Sequence, residues 1–315
     1  MHTAIPGRAD RLLTRGQRTI VFGSGSPLSL ETVRILARRS DLAGVVLPAA
    51  RRRAAARLAS WWRTRDLRRT CRRLGVPLVG SLRDPGLGER LIDLAPEVLW
   101  VASFPDRIPP EILRIPAIAP LNVHFSLLPK HRGTSPLFWT YLHDDHVTGV
   151  SIHRLTDELD AGEIVIQKEV PLDRGVRGHD LYASLIEVAA DLIEDTMTRI
   201  EEGRLRWMPQ DPLLATSEPA PARGGWSIDW KTWSSERLWH FLRGVGDRDA
   251  RFALDSRPVG PAKRYELRDH GRSAGEIEWS PRGCRIYCRD GYVDTEGLSL
   301  IGRLRQRVPR SGPEW

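Results

Sequence analysis

The chain has 315 residues, 41% apolar and 28% charged, and its 48 Lys and Arg against 40 Asp and Glu give a net charge of +8. Such a length predicts a sizeable core and two domains, since single cores rarely grow past about 250 residues, and no run approaches the roughly 18 apolar residues of a membrane-crossing helix. The three cysteines, Cys71, Cys284 and Cys288, are too scattered for a disulfide framework and lack zinc-ligand partners, so they read as small core residues in a reducing compartment.

The first residues, "MHTAIPGRADRLLTRGQ", mix charges with Pro and Gly and lack the apolar stretch of a leader, which predicts a short extension, 1–17, on a cytoplasmic enzyme. From residue 18 the pattern alternates: "RTIVFGS" as a strand, "SLETVRILARRS" as a helix capped by Ser29, and "LAGVVLP" as a second strand. Residues 51–73 then carry ten arginines against one aspartate, so the basicity belongs to one segment. Two readings of it stay open. With Trp61 and Trp62 interleaved, Arg51 to Arg73 could meet nucleic-acid phosphates and bases; alternatively Leu58, Trp61, Trp62, Leu67, Cys71 and Leu74 face inward on a surface helix.

Next come a short strand "VPLVG", a helix near 84–93, the strand "VLWVASF" and a strand from Leu121. Alternating strands and helices predict an α/β fold, a Rossmann-like domain with a mostly parallel sheet covered on both faces. "SPLFWTYLHDD" reads as a helix, "GVSIHRL" and "GEIVIQKEVPL" as strands, and Gly178 to Arg204 as a long amphipathic helix closing a catalytic domain, 18–208. Residues 209–225, "PQDPLLATSEPAPARGG", have the composition of a linker. The remainder, 226–315, holds one helix, "SSERLWHFLRGV", and short strands such as "KRYELRD", "GEIEWS", "GCRIYCRDG" and "GLSLIG", the pattern of a small β-rich domain.

The informative stretch is "LNVHFSLLPKHRG", 121–133. Side chains on a strand alternate, so Asn122, His124 and Ser126 share a face that an ordinary core would not make polar. They stand where open α/β sheets bind ligands, beyond the carboxyl ends of the strands. Asn122 can donate to a developing oxyanion, His124 can move a proton near neutral pH, and Asp160, in the turn "LDAG", supplies a carboxylate to orient the imidazole. By residue type alone the same three also fit satisfied core polar groups and a turn cap. "GSGSPL", 23–28, lacks the third glycine of a dinucleotide fingerprint, and no acidic residue ends the second strand, so no nicotinamide cofactor is expected. "HDDH", 143–146, reads as a solvated turn rather than a metal site.

These motifs resemble the 10-formyltetrahydrofolate-dependent formyltransferases, closely over about 95–172 and loosely elsewhere. The family signature Asn-x-His, Ser-Leu-Leu-Pro and Gly matches Asn122, His124, Ser126, Leu127, Leu128, Pro129 and Gly133, and its Asp, at a nearly fixed interval in a D-x-G turn, matches Asp160 with Gly162. The resemblance implies that Asn122, His124 and Asp160 are catalytic, with protonated His124 and Asn122 steadying the oxyanion, and that no metal is needed. It implies that the folate is held by Val101, Ala102, Ser103, Phe104, Arg107 and Ile108 and by Thr156, Asp157, Glu158, Leu159 and Ala161. On the acceptor side it implies Gly23, Ser24 and Gly25, whose amides could receive a phosphate, with Ser126, Gly133 and His153.

The tRNA-specific members typically carry "GTPxFA", a Gly-Arg-Gly segment and an "LDTG" turn. This chain instead has "GSGSPLSL", "LPAARRR", His153 and "LDAG", closer to the amino-sugar and glycinamide ribonucleotide enzymes. The expected acceptor is therefore a small amine-bearing molecule such as a nucleotide amino sugar, with initiator tRNA as the alternative. A formyltetrahydrofolate hydrolase is a further alternative; it usually has an N-terminal regulatory domain that 17 residues cannot form. Ile228 to Trp230 and Cys288 to Val293 resemble the OB-like domain of both tRNA and some sugar enzymes.

Overall fold

Central strands buried on both faces must be apolar at nearly every position, and "RTIVFG" and "VLWVA" are. In the computed structural model they are β1 (Arg18–Gly23) and the middle strand Val98–Ala102. The structure describes residues 16–49, 54–221, 228–246, 253–254 and 257–297. The strand expected in "GLSLIG" lies outside these, as do Arg51 to Arg53 and the side chains of Leu58, Trp61 and Trp62.

After β1 come α1 (Pro27–Arg39), β2 (Asp41–Leu47), the basic α2 (Ala54–Leu74), β3 (Leu78–Ser81) and α3 (Leu87–Leu94). They are followed by β4 (Val98–Ala102), the short α4 (Pro110–Leu113), β5 (Ala119–His124), α5 (Pro136–His143), β6 (Val147–Arg154), β7 (Ile164–Pro171) and α6 (Gly178–Glu201). The cap of α1 is Ser26, not Ser29: Ser26 Oγ accepts from Ser29 N at 3.1 Å, and Pro27, lacking an N–H, takes the first helical position. Arg39 in the last turn of α1 pairs with Glu194 at 2.8 Å and with Glu201, pinning α1 to α6.

The sheet order is β3-β2-β1-β4-β5-β6-β7, with the first five strands parallel and β6 and β7 antiparallel. Chain direction across the sheet reverses between β1 and β4, the crevice where such folds take ligands. β6 runs back along β5, which sets His153 opposite Asn122.

α2 follows the amphipathic pattern where its side chains are described. Leu67 and Cys71 are fully buried, and Arg69, Arg72 and Arg73 are exposed. Leu74, expected inward, is 44% exposed, because the helix ends there and Gly75 turns the chain away at φ +69°. Cys71, Cys284 and Cys288 are buried free thiols, as expected.

The C-terminal region comprises α7 (Ser235–Val245), the two-residue strands β8 (Ala253–Leu254) and β9 (Arg257–Pro258), β10 (Ala262–Leu267), β11 (Ile277–Ser280), β12 (Gly283–Cys288) and β13 (Gly291–Thr295). The last four form an antiparallel sheet ordered β10-β13-β12-β11. Phe241 of α7 stacks edge-on against Phe138 of α5, so this region shares the main apolar core. Residues 209–221, in the segment read as a linker, are bonded along the catalytic domain: Arg132 and Ser217 form a parallel bridge, and Thr216 N donates to the Pro129 carbonyl at 3.1 Å. Among the described residues no helix is long and apolar enough to cross a membrane.

Candidate active site

Asn122 and His124 reach the site from the last turn of the β5 pleat, and Asp160 from the loop between β6 and β7. His124 Nε2 lies 2.9 Å from the His131 carbonyl oxygen. A carbonyl only accepts, so Nε2 carries the proton, and in the neutral ring Nδ1 carries the lone pair. Nδ1 is 3.7 Å from Asp160 Oδ2, beyond hydrogen-bond range. A proton arriving at Nδ1 would therefore meet a carboxylate already in place.

Burial favours the neutral ring, and it lowers the His124 pKa from 6.5 against the opposing pull of Asp160. The resemblance implies a protonated ring, whereas burial here favours the neutral one with its lone pair on Nδ1. Burial works against charge on Asp160 too, but the His124 and His153 rings and the Gly133 N–H outweigh it, holding the carboxyl well below the usual range. Gly133 N donates to Asp160 Oδ2 at 2.9 Å. Asp160 itself has φ +51°, a left-handed conformation that costs energy outside glycine.

Behind this pair, His153 is fully buried. Its Nδ1 donates to the Arg154 carbonyl at 2.9 Å, and its Nε2 accepts from Asn122 Nδ2 at 3.1 Å. One amide hydrogen of Asn122 is engaged there, which leaves the second for a ligand.

In front opens a cavity of about 450 Å³. Of the residues expected to hold the folate, Val101, Ser103, Phe104, Arg107, Ile108, Thr156, Asp157, Glu158 and Leu159 line it, as do Asn122, His124, Asp160 and Gly133. Ala102 and Ala161 do not. Arg107 joins the two walls by donating to the Asp157 carbonyl at 2.6 Å.

Several residues expected on the acceptor side stand outside the lining. Ser126 Oγ donates to the Lys130 carbonyl at 2.7 Å, bracing the turn after β5. His153 is screened by Asn122 and Asp160. Gly23, Ser24 and Gly25 are not among the lining residues either, and the Ser24 amide is already engaged by Ser29 Oγ at 3.1 Å.

A second cluster escaped the sequence reading. His131, beside the signature glycine, is held by Asp145 through Nε2 at 2.7 Å and by Glu218 through Nδ1 at 2.8 Å. "HDDH" is thus more than a solvated turn: Asp145 anchors His131, and Asp144 pairs with Arg174. Burial alone would push the His131 pKa down, but hydrogen bonds to Asp145 and Glu218 lift it to about 9. His131 therefore stabilises the fold fully below its ordinary 6.5, and that contribution disappears as pH rises through about 9. Denaturant midpoints measured across this window should fall more steeply for the parent protein than for His131→Gln.

Two groups of described side chains are compact enough to share an ion, His124 with His153 and Asp160, and His131 with His143 and Glu218. In the first, His124 Nδ1 stands 3.7 Å from Asp160 and His153 Nε2 accepts from Asn122; in the second, both ring nitrogens of His131 are engaged by carboxylates.

Comparison with known proteins places the chain in a family. Residues 17–196 match the formyl transferase family. The methionyl-tRNA formyltransferase of Synechococcus sp. (strain JA-3-3Ab) is 32% identical over 242 residues, which span 73% of each chain. The crystal structure of WlaRD, a sugar 3N-formyl transferase in the presence of dTDP and 5-N-formyl-THF, aligns with a TM-score of 0.63 at 16% identity, over 91% of this chain and 99% of that one. The N-formyltransferase from Helicobacter canadensis, in complex with folinic acid and dTDP-3-aminofucose, gives the same TM-score at 15% identity, over 90% and 99%. A family match over more than half the chain identifies this protein as a formyltransferase belonging to the formyl transferase family.

Proposed function

We propose that the chain transfers a formyl group from 10-formyltetrahydrofolate to the primary amine of a small acceptor, a nucleotide amino sugar being the first candidate. The observation that carries the reaction is the meeting of Asn122, His124 and Asp160 at the cavity. A volume near 450 Å³ with Val101, Phe104, Ile108, Leu155 and Leu159 in its walls suits a flat heterocycle. When bound there, the folate supplies an N10-formyl group that an amine can accept.

The chain's residues then divide the work. The free hydrogen of Asn122 Nδ2 faces the charge that develops on the formyl oxygen. His124 Nδ1 takes the proton released by the attacking amine and can return it to the departing N10 nitrogen. Asp160 balances the charge of the imidazolium while His131 O keeps its hold on Nε2. Because the base form is the neutral ring, kcat should rise with pH through a value below 6.5 and level off at neutrality. An acid limb at or above 6.5 would contradict the assignment.

The small-acceptor reading rests on the His153 and "LDAG" pattern and on the dTDP and amino-sugar names borne by the two structural neighbours. Initiator tRNA is a second reading with an observation of its own. Ala49 N donates to Asp106 of the cavity rim at 2.8 Å, and the arginine-rich segment 51–73 follows it in sequence. We further read residues 226–315 as an OB-like domain, 209–225 as its connection, and the enzyme as cytoplasmic.

The test offers 10-formyltetrahydrofolate with methionyl initiator tRNA or with a panel of nucleotide amino sugars and follows release of tetrahydrofolate. Turnover with a sugar alone supports the first reading. Turnover with tRNA, together with a lower salt slope when Arg69, Arg72 and Arg73 are neutralised, replaces it with the second. Release without any acceptor makes the enzyme a hydrolase.

A further inference from the structure

Gln210 lies in a segment with the composition of a linker, yet its side chain makes four hydrogen bonds at the catalytic turn. Nε2 donates to the carbonyls of Asp160 at 2.8 Å and Gly162 at 2.6 Å. Oε1 accepts from Arg132 Nε at 3.0 Å and Nη2 at 2.8 Å. That satisfies the whole capacity of a primary amide. The two halves of the site thus meet on one side chain. Asp160 arrives with a left-handed backbone that needs outside support, and Arg132 lies between His131, whose carbonyl holds His124, and Gly133, whose N–H holds Asp160.

The neighbouring residues run in the same direction. Arg132 N donates to the Thr216 carbonyl at 2.9 Å, His131 N to Thr216 Oγ1 at 2.8 Å, and Glu218 N to the Arg132 carbonyl at 3.0 Å. Residues 208–218 form a strap laced to both catalytic loops.

We propose that Gln210 is a positioning residue for formyl transfer: by clamping the carbonyls of Asp160 and Gly162 to the Arg132 guanidinium, it sets the separation between the Asp160 carboxylate and His124 Nδ1. This rests on the formyl-transfer reading, and the test separates the two. The titratable groups facing His124 are Asp160, His153 and His131, and only Asp160 is held by Gln210.

Gln210→Ala should lower kcat by about tenfold or more, with the donor KM changed less than about threefold, since loss of alignment acts on the transition state. Its acid limb should also move to lower pH, because a displaced Asp160 no longer favours the protonated ring. Gln210→Glu should not rescue activity: a carboxylate accepts from Arg132 but cannot donate to the two carbonyls. A merely structural role would lower kcat in step with the folded fraction and leave the limb where it was; that result, or parental kcat in Gln210→Glu, overturns the proposal. NMR titration of the His124 ring in both proteins reads the same shift without turnover. If the parent transfers no formyl group, a lowered His124 pKa in Gln210→Ala still supports the positioning role, and an unchanged one overturns it.

Discussion

His124→Ala should lower kcat by at least about a hundredfold while the fold survives, because the proposed mechanism gives its Nδ1 the amine proton. Burial favours the neutral ring, and the Asp160 carboxylate keeps its hydrogen bond from Gly133 N when the ring is lost, so the loop should hold. Asp160→Asn should cost a similar factor for a different reason. The amide still fits beside Gly133 N, but it cannot balance an imidazolium, so the penalty falls on the protonated state that forms during transfer. Asn122→Ala removes the proposed oxyanion donor and frees His153 Nε2 from Asn122 Nδ2. Steady-state kinetics on the three variants, with circular dichroism to check folding, decides the matter; near-parental kcat in all three would defeat the mechanism.

Gly133→Ala should damage both stability and activity. Gly133 sits at φ +122°, where side chains are strained, and an added Cβ would come within 2.3 Å of the Glu218 carbonyl oxygen. That neighbour is backbone in the strap, so it cannot swing aside. The expected loss is about 2 kcal/mol or more from strain and displacement together, a fall in Tm of several degrees for a chain of this size. The shift also carries the Gly133 N–H away from Asp160 Oδ2, so kcat should fall beyond what the unfolded fraction explains. An alanine variant with parental Tm and kcat would show that the loop accommodates the methyl group, contrary to the contact geometry.

The parts of the fold visible in the sequence are those with strong local periodicity. β1 and β4 read as strands because burial on both faces leaves continuous apolar runs, and α6 as a helix because Leu181, Leu185, Ala189 and Leu192 repeat along its buried face. Asn122 and His124 were legible for the opposite reason, as polar groups alternating in an otherwise buried strand. Asp160 was not distinctive by itself and became so through the signature spacing.

What escaped was set by contacts between distant residues. Glu218 reaches His131 across 87 positions, and Gln210 reaches Arg132 across 78, with no repeat to betray either pair. A segment of Pro, Ala and Ser looks the same whether it hangs free or is laced to a loop. The cap of α1 was misplaced by three residues because two serines compete and Pro27 decides between them. β13 does not stand out as a separate strand in the sequence, although the two residues Arg289 and Asp290 make the tight turn between it and β12.

The most direct test of the account gives the parent protein and His124→Ala a 10-formyltetrahydrofolate labelled with carbon-13 in the formyl group, together with the acceptor that supports turnover, and follows the label by mass spectrometry. The account predicts label on the acceptor amine with the parent and at least about a hundredfold less with the variant. Label appearing as free formate while the acceptor stays unmodified, or equal labelling by both proteins, would contradict it.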